Sequence, residues 1–195
     1  MKTEALNYNK LYTEARALFF ENNKAYTLDR KTENLAYLLA LETGLRVSDL
    51  LNLKYNDFKY NNEIKKYCFT TNVTKTKSVH TGVISNELYN NVQMFESALK
   101  SEYNGSNQCI FYNYEANKVY TRQWLHKRIK LIGSKLNFES CGVHSIRKAS
   151  AINVLNKTGS LSLAQYHLTH KRATTTDKYL GVTEASALEQ LAKIF

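Results

Sequence analysis

Between Leu28 and Thr43 the apolar positions Leu35, Leu38, Leu39 and Leu41 fall on one helical face, and Gly44 follows as the natural C-cap. A preceding helix is predicted over residues 3–21, and Ser48 is suited to N-cap a short helix that runs to Leu53. The period then changes. Tyr67, Phe69, Thr71 and Val73 alternate with Cys68, Thr70 and Asn72, which is strand spacing in β-forming residues. A turn around Asn61-Asn62 precedes this strand, and the polar connection TKTKS leads to a second strand over Val79–Ile84, closing an antiparallel hairpin. From Ser85 onward the pattern is helical again, over 86–102, 121–136, 144–157, 161–168 and 184–194, with a short extended piece at Cys109–Tyr112. The predicted fold class is mainly α with one small antiparallel β-hairpin or sheet (α+β). It is not an alternating βαβ chain, and neither GxGxxG nor GxxxxGK[ST] occurs.

Composition narrows this picture. A chain of 195 residues with 43% hydrophobic and 23% charged side chains is ordinary for one globular domain. There is no proline, the seven glycines are scattered, and no linker or repeat interrupts the pattern. The longest apolar run, Leu35 to Leu41, is too short to span a membrane, and MKTEALNYNK lacks the apolar core of a signal peptide, so a cytoplasmic location is expected. Cys68, Cys109 and Cys141 are odd in number and widely spaced, which predicts reduced thiols rather than a disulfide scaffold or a zinc site.

Charge changes the picture more. The formal net charge is +10, and it is unevenly spread. Residues 1–45 are neutral, whereas residues 118–148 hold eight basic side chains against Glu139 alone. Cations gathered in one segment make a face suited to a nucleic-acid backbone; a solvated lysine surface is the plainer reading.

Six side chains invite a chemical reading, and each has an ordinary one beside it. Arg46, in ETGLRVSDLL, projects from the corner after a capping glycine, or pairs with Asp49 at the surface. Lys75 sits at the hairpin tip, with Lys77 as its rival for any role there. His144 and Arg147, in GVHSIRKAS, share one face at a helix start, a place that favours anions. His170 ends a helical segment, and Tyr179, nine residues on, is one of fourteen tyrosines.

Taken together, the six resemble the catalytic signature of the tyrosine recombinases, the phage integrase family. TGLRVSDLLNLKYNDF resembles that family's first arginine box, VHSIRKASAINVL its second and LTHKRATTTDKYL its third, so the resemblance spans about residues 28–190. Two departures stand out. Thr169 occupies the position before the third-box histidine where the family usually has glycine, and the 45 residues before Arg46 are too few for the family's upstream helical DNA-binding domain. The expectation is therefore one catalytic domain with its core at about 28–183, either a single-domain member or a catalytic fragment.

The resemblance implies a site-specific recombinase that cleaves and rejoins double-stranded DNA through a 3′-phosphotyrosyl intermediate, with no cofactor and no metal. It implies catalytic roles for Arg46, Lys75, His144, Arg147, His170 and Tyr179. It also implies a homotetramer on DNA, with room for an accessory protein. The last helix, EASALEQLAKIF, carries Ala185, Leu188, Leu191 and Ile194 at helical spacing, for docking either on its own domain or on a neighbour. A type IB topoisomerase or resolvase activity, and a DNA-binding regulator without catalysis, are the alternatives.

Overall fold

The computed structural model describes residues 7–20, 28–103, 107–135, 137–138, 141–169 and 184–195. His170 and Tyr179 lie outside the described residues, as does the start of the first predicted helix. Helix α1 spans Tyr8–Phe20, α2 Leu28–Thr43 and α3 Val47–Leu51. Strands β1 (Phe58–Asn61), β2 (Lys66–Val73) and β3 (Ser78–Ile84) form an antiparallel sheet in that order. Helix α4 (Asn86–Tyr103), the small β4–β5 pair (Tyr112–Asn113 and Lys118–Val119), α5 (Arg122–Lys135), α6 (Val143–Thr158), α7 (Leu161–His167) and α8 (Glu184–Ala192) complete the described elements.

Helix α2 organises the core. Every side chain from Leu35 to Thr43 is buried, because the helix packs against α1, α4, α5 and α6 at once. The sequence suggests one apolar face; tertiary packing covers the other faces too, including Tyr37 and the polar Glu42. Glu42 tolerates burial because its carboxylate accepts from Tyr12 Oη at 2.6 Å, Ser85 N at 2.8 Å and Ser85 Oγ at 2.7 Å.

The sheet has one strand more than the sequence pattern suggests. FKYN is too short and too polar to show a period, yet Phe58 pairs with Phe69 and Asn61 with Lys66. The connecting turn is set by Asn61 Oδ1, which accepts from the backbone of Glu63 at 2.9 Å and Ile64 at 3.3 Å. In the β2–β3 pair, Gly82 stands opposite Phe69, and a Cβ there would come within 2.5 Å of the Phe69 ring. The glycine makes room for the aromatic that joins sheet to core.

Two further expectations are corrected. Ser48 does not cap α3; Arg46 occupies the N-cap, with extended backbone (φ −69°, ψ 152°) and no side-chain cap bond. The last helix buries Ala187, Leu188 and Leu191, not Ala185, and it packs on this chain's own Cys68, Val83, Val154 and Leu163. Of the cysteines, Cys68 is buried and the other two are partly so.

Candidate active site

Helix α2 ends at Thr43, and Gly44 turns the chain with φ +59°. Two constraints select glycine there. The left-handed backbone disfavours side chains, and a Cβ would lie 2.9 Å from His167 Nε2. The tight corner holds Arg46 at a fixed position at the mouth of α3.

Arg147, in the first turns of α6, reaches the same corner. Its Nη1 donates to the Gly44 carbonyl and its Nη2 to the Leu168 carbonyl. Arg46 Nη1 donates to Thr169 Oγ1 at 2.6 Å. The two guanidinium groups are thus fastened to one short turn, residues 168–169, immediately before His170. Thr169 adopts φ +55°, a left-handed conformation that β-branched residues rarely take.

Among the described residues the counter-charge is small. Asp49 is fully buried in the first turn of α3, but it is not ion-paired with Arg46: its Oδ1 accepts from the backbone N–H of Thr74 at 2.9 Å, and its Oδ2 has no hydrogen-bond partner. Burial pushes the Arg147 guanidinium down to about 10; repulsion by Arg46 adds to this and Asp49 works against it. Arg147 remains cationic at neutral pH, and Asp49 is the carboxylate beside it among the described residues. A pair of arginines so placed favours a bound anion.

Beneath Arg147 lie two buried histidines. His167 Nε2 is 2.8 Å from Ser150 Oγ, and its ring stacks on Phe195. His80, on β3, sits between Phe69 and Tyr166 with an unpartnered Nε2. Burial lowers His167 to about 3 and His80 to about 4, with the Arg147 charge acting in the same direction on each. Both stay neutral, so neither adds charge beneath the arginines.

The structure therefore brings Arg46 and Arg147 together. His144 is exposed one turn before Arg147 and lines the same groove of about 470 Å³, which also includes Lys148, Ile152 and Leu168. Lys75 stands exposed in the four-residue turn between β2 and β3, and the Thr74–Asp49 bond ties that turn to the Arg46 helix. Lys77, its rival, closes the turn with φ +52° and an N–H donated to Val73 O at 2.9 Å. Among the described residues no His, Cys, Asp or Glu cluster is arranged to hold a metal ion.

Sequence reasoning missed His80, His167 and Ser150. The strand period itself held a signal for His80, since it shares its face of β3 with the buried Gly82 and Ile84.

Comparison with known proteins bears on family and fold. The model of the phage integrase family matches residues 7–186. A probable integrase/recombinase of Methanocaldococcus jannaschii is 31% identical over 85% of this chain, and the chain spans 50% of that protein's length. The tyrosine recombinase XerD of Chlamydia muridarum is 28% identical over 87% of the chain, which again spans about half (54%) of the relative. Among solved structures, XerH site-specific recombinase bound to its difH substrate covers 92% of the chain with a TM-score of 0.73 at 20% identity, matching 50% of that chain. The lambda integrase catalytic core covers 86% with a TM-score of 0.56 at 18% identity, matching 95% of that chain. These structural likenesses establish the fold.

Proposed function

The chain belongs to the phage integrase family, and from that membership we propose that it is a site-specific DNA recombinase acting through a 3′-phosphotyrosyl intermediate. The observation that supports this best is the fastening of Arg46 and Arg147 to one turn, with Asp49 as the carboxylate beside them among the described residues. Paired guanidinium groups match the two non-bridging oxygens of a phosphodiester, on which charge builds during attack.

In this reading Tyr179 attacks phosphorus, so that its Oη–P bond forms as the bond to the 5′ oxygen breaks. The phenol proton passes to a base, for which His144, exposed beside Arg147, is placed on the same groove. Lys75 gives a proton to the leaving 5′ oxygen, which is far more basic than a phenolate. His170 adds a third donor to the phosphate. The 5′ hydroxyl of a partner strand reverses the sequence and rejoins the DNA. The bond energy is kept in the covalent link, so no ATP is consumed.

Residues 28–183 would form the catalytic core of this enzyme, acting on double-stranded DNA in the cytoplasm as a homotetramer, with an accessory protein as a further partner. The α8 helix, docked on its own domain in this structure, would pass to a neighbour in that assembly. Among the described residues no helix is long and apolar enough to cross a membrane.

The test is adduct trapping. Wild type and Tyr179→Phe are incubated with nicked, labelled duplexes drawn from DNA flanking the gene, then resolved on a denaturing gel. A protease-sensitive shifted band with wild type alone is the expected result. Binding without any band from wild type would overturn the catalytic reading.

A further inference from the structure

On the side of the sheet opposite the core, strands β1 and β2 and the segment that follows α3 enclose a groove of about 820 Å³. Its lining is polar and cationic, with Lys54, Lys59 and Lys77 set among Asn56, Asn72 and Thr74. The strand period explains the lining. Phe69, Thr71 and Val73 of β2 turn inward, which leaves Thr70 and Asn72 outward. The same alternation leaves Val79 of β3 exposed. Asp57 is the acid in the groove, and its Oδ2 is occupied by the Lys54 backbone N–H at 2.8 Å.

This chemistry does not suit a protein partner. An interface core takes aromatic and apolar anchors, and the groove has Val79 as its largest exposed apolar side chain. Three cations, amides and hydroxyls suit a polyanion. One bond links the groove to the arginine-bearing helix: Thr74 lines the groove, and its N–H donates to Asp49, three residues along α3 from Arg46.

We propose that this groove is a second DNA-backbone contact, which holds phosphates flanking the one clamped by Arg46 and Arg147. The proposal rests on the recombinase reading for the identity of the polyanion. A duplex with one phosphate at the arginine pair carries the next along each strand at about 3.4 Å per base pair. The backbone passing the hairpin turn would then enter the lysine-lined groove. Lysines act here as point charges without base preference, so the contact adds affinity and register rather than sequence choice.

The test measures binding of the full chain to a labelled random-sequence duplex over a range of salt concentrations. Lys54→Gln/Lys59→Gln changes two exposed side chains that take no part in the proposed chemistry. Each phosphate contact contributes about 0.9 to the slope of log affinity against log salt, so the double variant is expected to lose about 1.8. Lys157→Gln/Lys193→Gln, at exposed lysines near the ends of α6 and α8, is expected to keep the wild-type slope. An equal loss in both variants would show an effect of net charge alone, and an unchanged slope in the first would remove the contact; either overturns the proposal. Adduct trapping with the same proteins separates the two readings. Adducts from wild type with an unchanged slope remove the groove and leave the recombinase, whereas a reduced slope without adducts keeps the groove and removes the strand-transfer chemistry.

Discussion

Arg46 donates to Thr169 Oγ1 at 2.6 Å, across 123 positions of sequence, and Thr169 meets it from a left-handed backbone conformation. The hydroxyl stands where the family usually places glycine. A glycine would relieve strain of about 1–2 kcal/mol but would leave the guanidinium without this acceptor. A hydrogen bond to a charged group is worth about 1.5–3 kcal/mol, so the two effects nearly offset in stability. Thr169→Ala keeps the strain and loses the bond. It is expected to melt below both wild type and Thr169→Gly, while both variants slow adduct formation by a similar factor. Equal melting of the two variants would show that the backbone strain is not felt.

Arg147 differs from Arg46 in being anchored by two backbone carbonyls, those of Gly44 and Leu168. Lysine can keep the charge but cannot span both acceptors as a planar fork does. Arg147→Lys is therefore expected to lose stability as well as activity, with adduct formation down roughly 10²–10³-fold, the usual cost of one preorganised donor. Arg46→Lys should retain more stability, because Arg46 bonds one side chain, that of Thr169, rather than two segments of backbone. Thermal melts beside single-turnover cleavage separate the two effects.

How far the site could be read in advance depended on what fixes each residue. The order and spacing of the Arg46, His144 and Arg147 boxes are properties of the chain itself; in the structure Arg46 and Arg147 bond into one turn, and His144 lines the groove beside Arg147. The hairpin was legible because alternation over Tyr67–Val73 is long enough to show a period. Strand β1 was not, because four residues, two of them exposed, carry none. The Arg46–Asp49 pairing failed for a different reason. Proximity in sequence says nothing of the competing donor on the hairpin, the Thr74 N–H, which claims the carboxylate instead. The neutral floor of His80 and His167 depends on Phe69, Ser150, Tyr166 and Phe195, brought together from distant parts of the chain, which no local pattern contains.

The choice between Lys75 and Lys77 has a chemical test. Lys77 is built into the turn, closing it with a left-handed backbone, whereas Lys75 is free to extend from the tip. Lys75→Ala is expected to slow cleavage sharply and Lys77→Ala only slightly. Replacing the leaving 5′ oxygen of the substrate by sulfur should restore the Lys75→Ala rate, since a thiolate needs no acid to depart. Equal rates in the two variants, or no restoration by sulfur, would remove Lys75 as the general acid.

Acid should expose the two histidines. His167 and His80 are held neutral with values near 3 and 4, whereas an unfolded histidine titrates near 6.5. Between those limits the unfolded chain binds the extra protons, so stability is fully present above about pH 6.5 and falls as pH drops towards 4 and then 3. Each histidine contributes a slope on the order of 1 kcal/mol per pH unit in that window. Glu42, raised by burial, acts in the opposite direction, so the difference between proteins is the quantity to read. His167→Gln, which can still bond Ser150, is expected to flatten the wild-type decline between pH 6.5 and 4. An unchanged decline would mean that His167 is protonated in the folded protein.

The docking of α8 at home gives the last prediction. Leu191 is fully buried in a cluster with Cys68, Val83, Val154 and Leu163, all from the same chain. Leu191→Ala leaves a cavity there and is expected to cost about 2–5 kcal/mol. If the helix docks in cis when DNA is absent, the fall in melting temperature is the same at every protein concentration. A helix held by a neighbour would instead give a melting temperature that rises with concentration in wild type and a loss that shrinks on dilution. Sedimentation of the chain with and without residues 184–195 provides the independent check, with both proteins expected to run as monomers off DNA. Dependence on concentration in wild type alone would place α8 in trans even before DNA is bound.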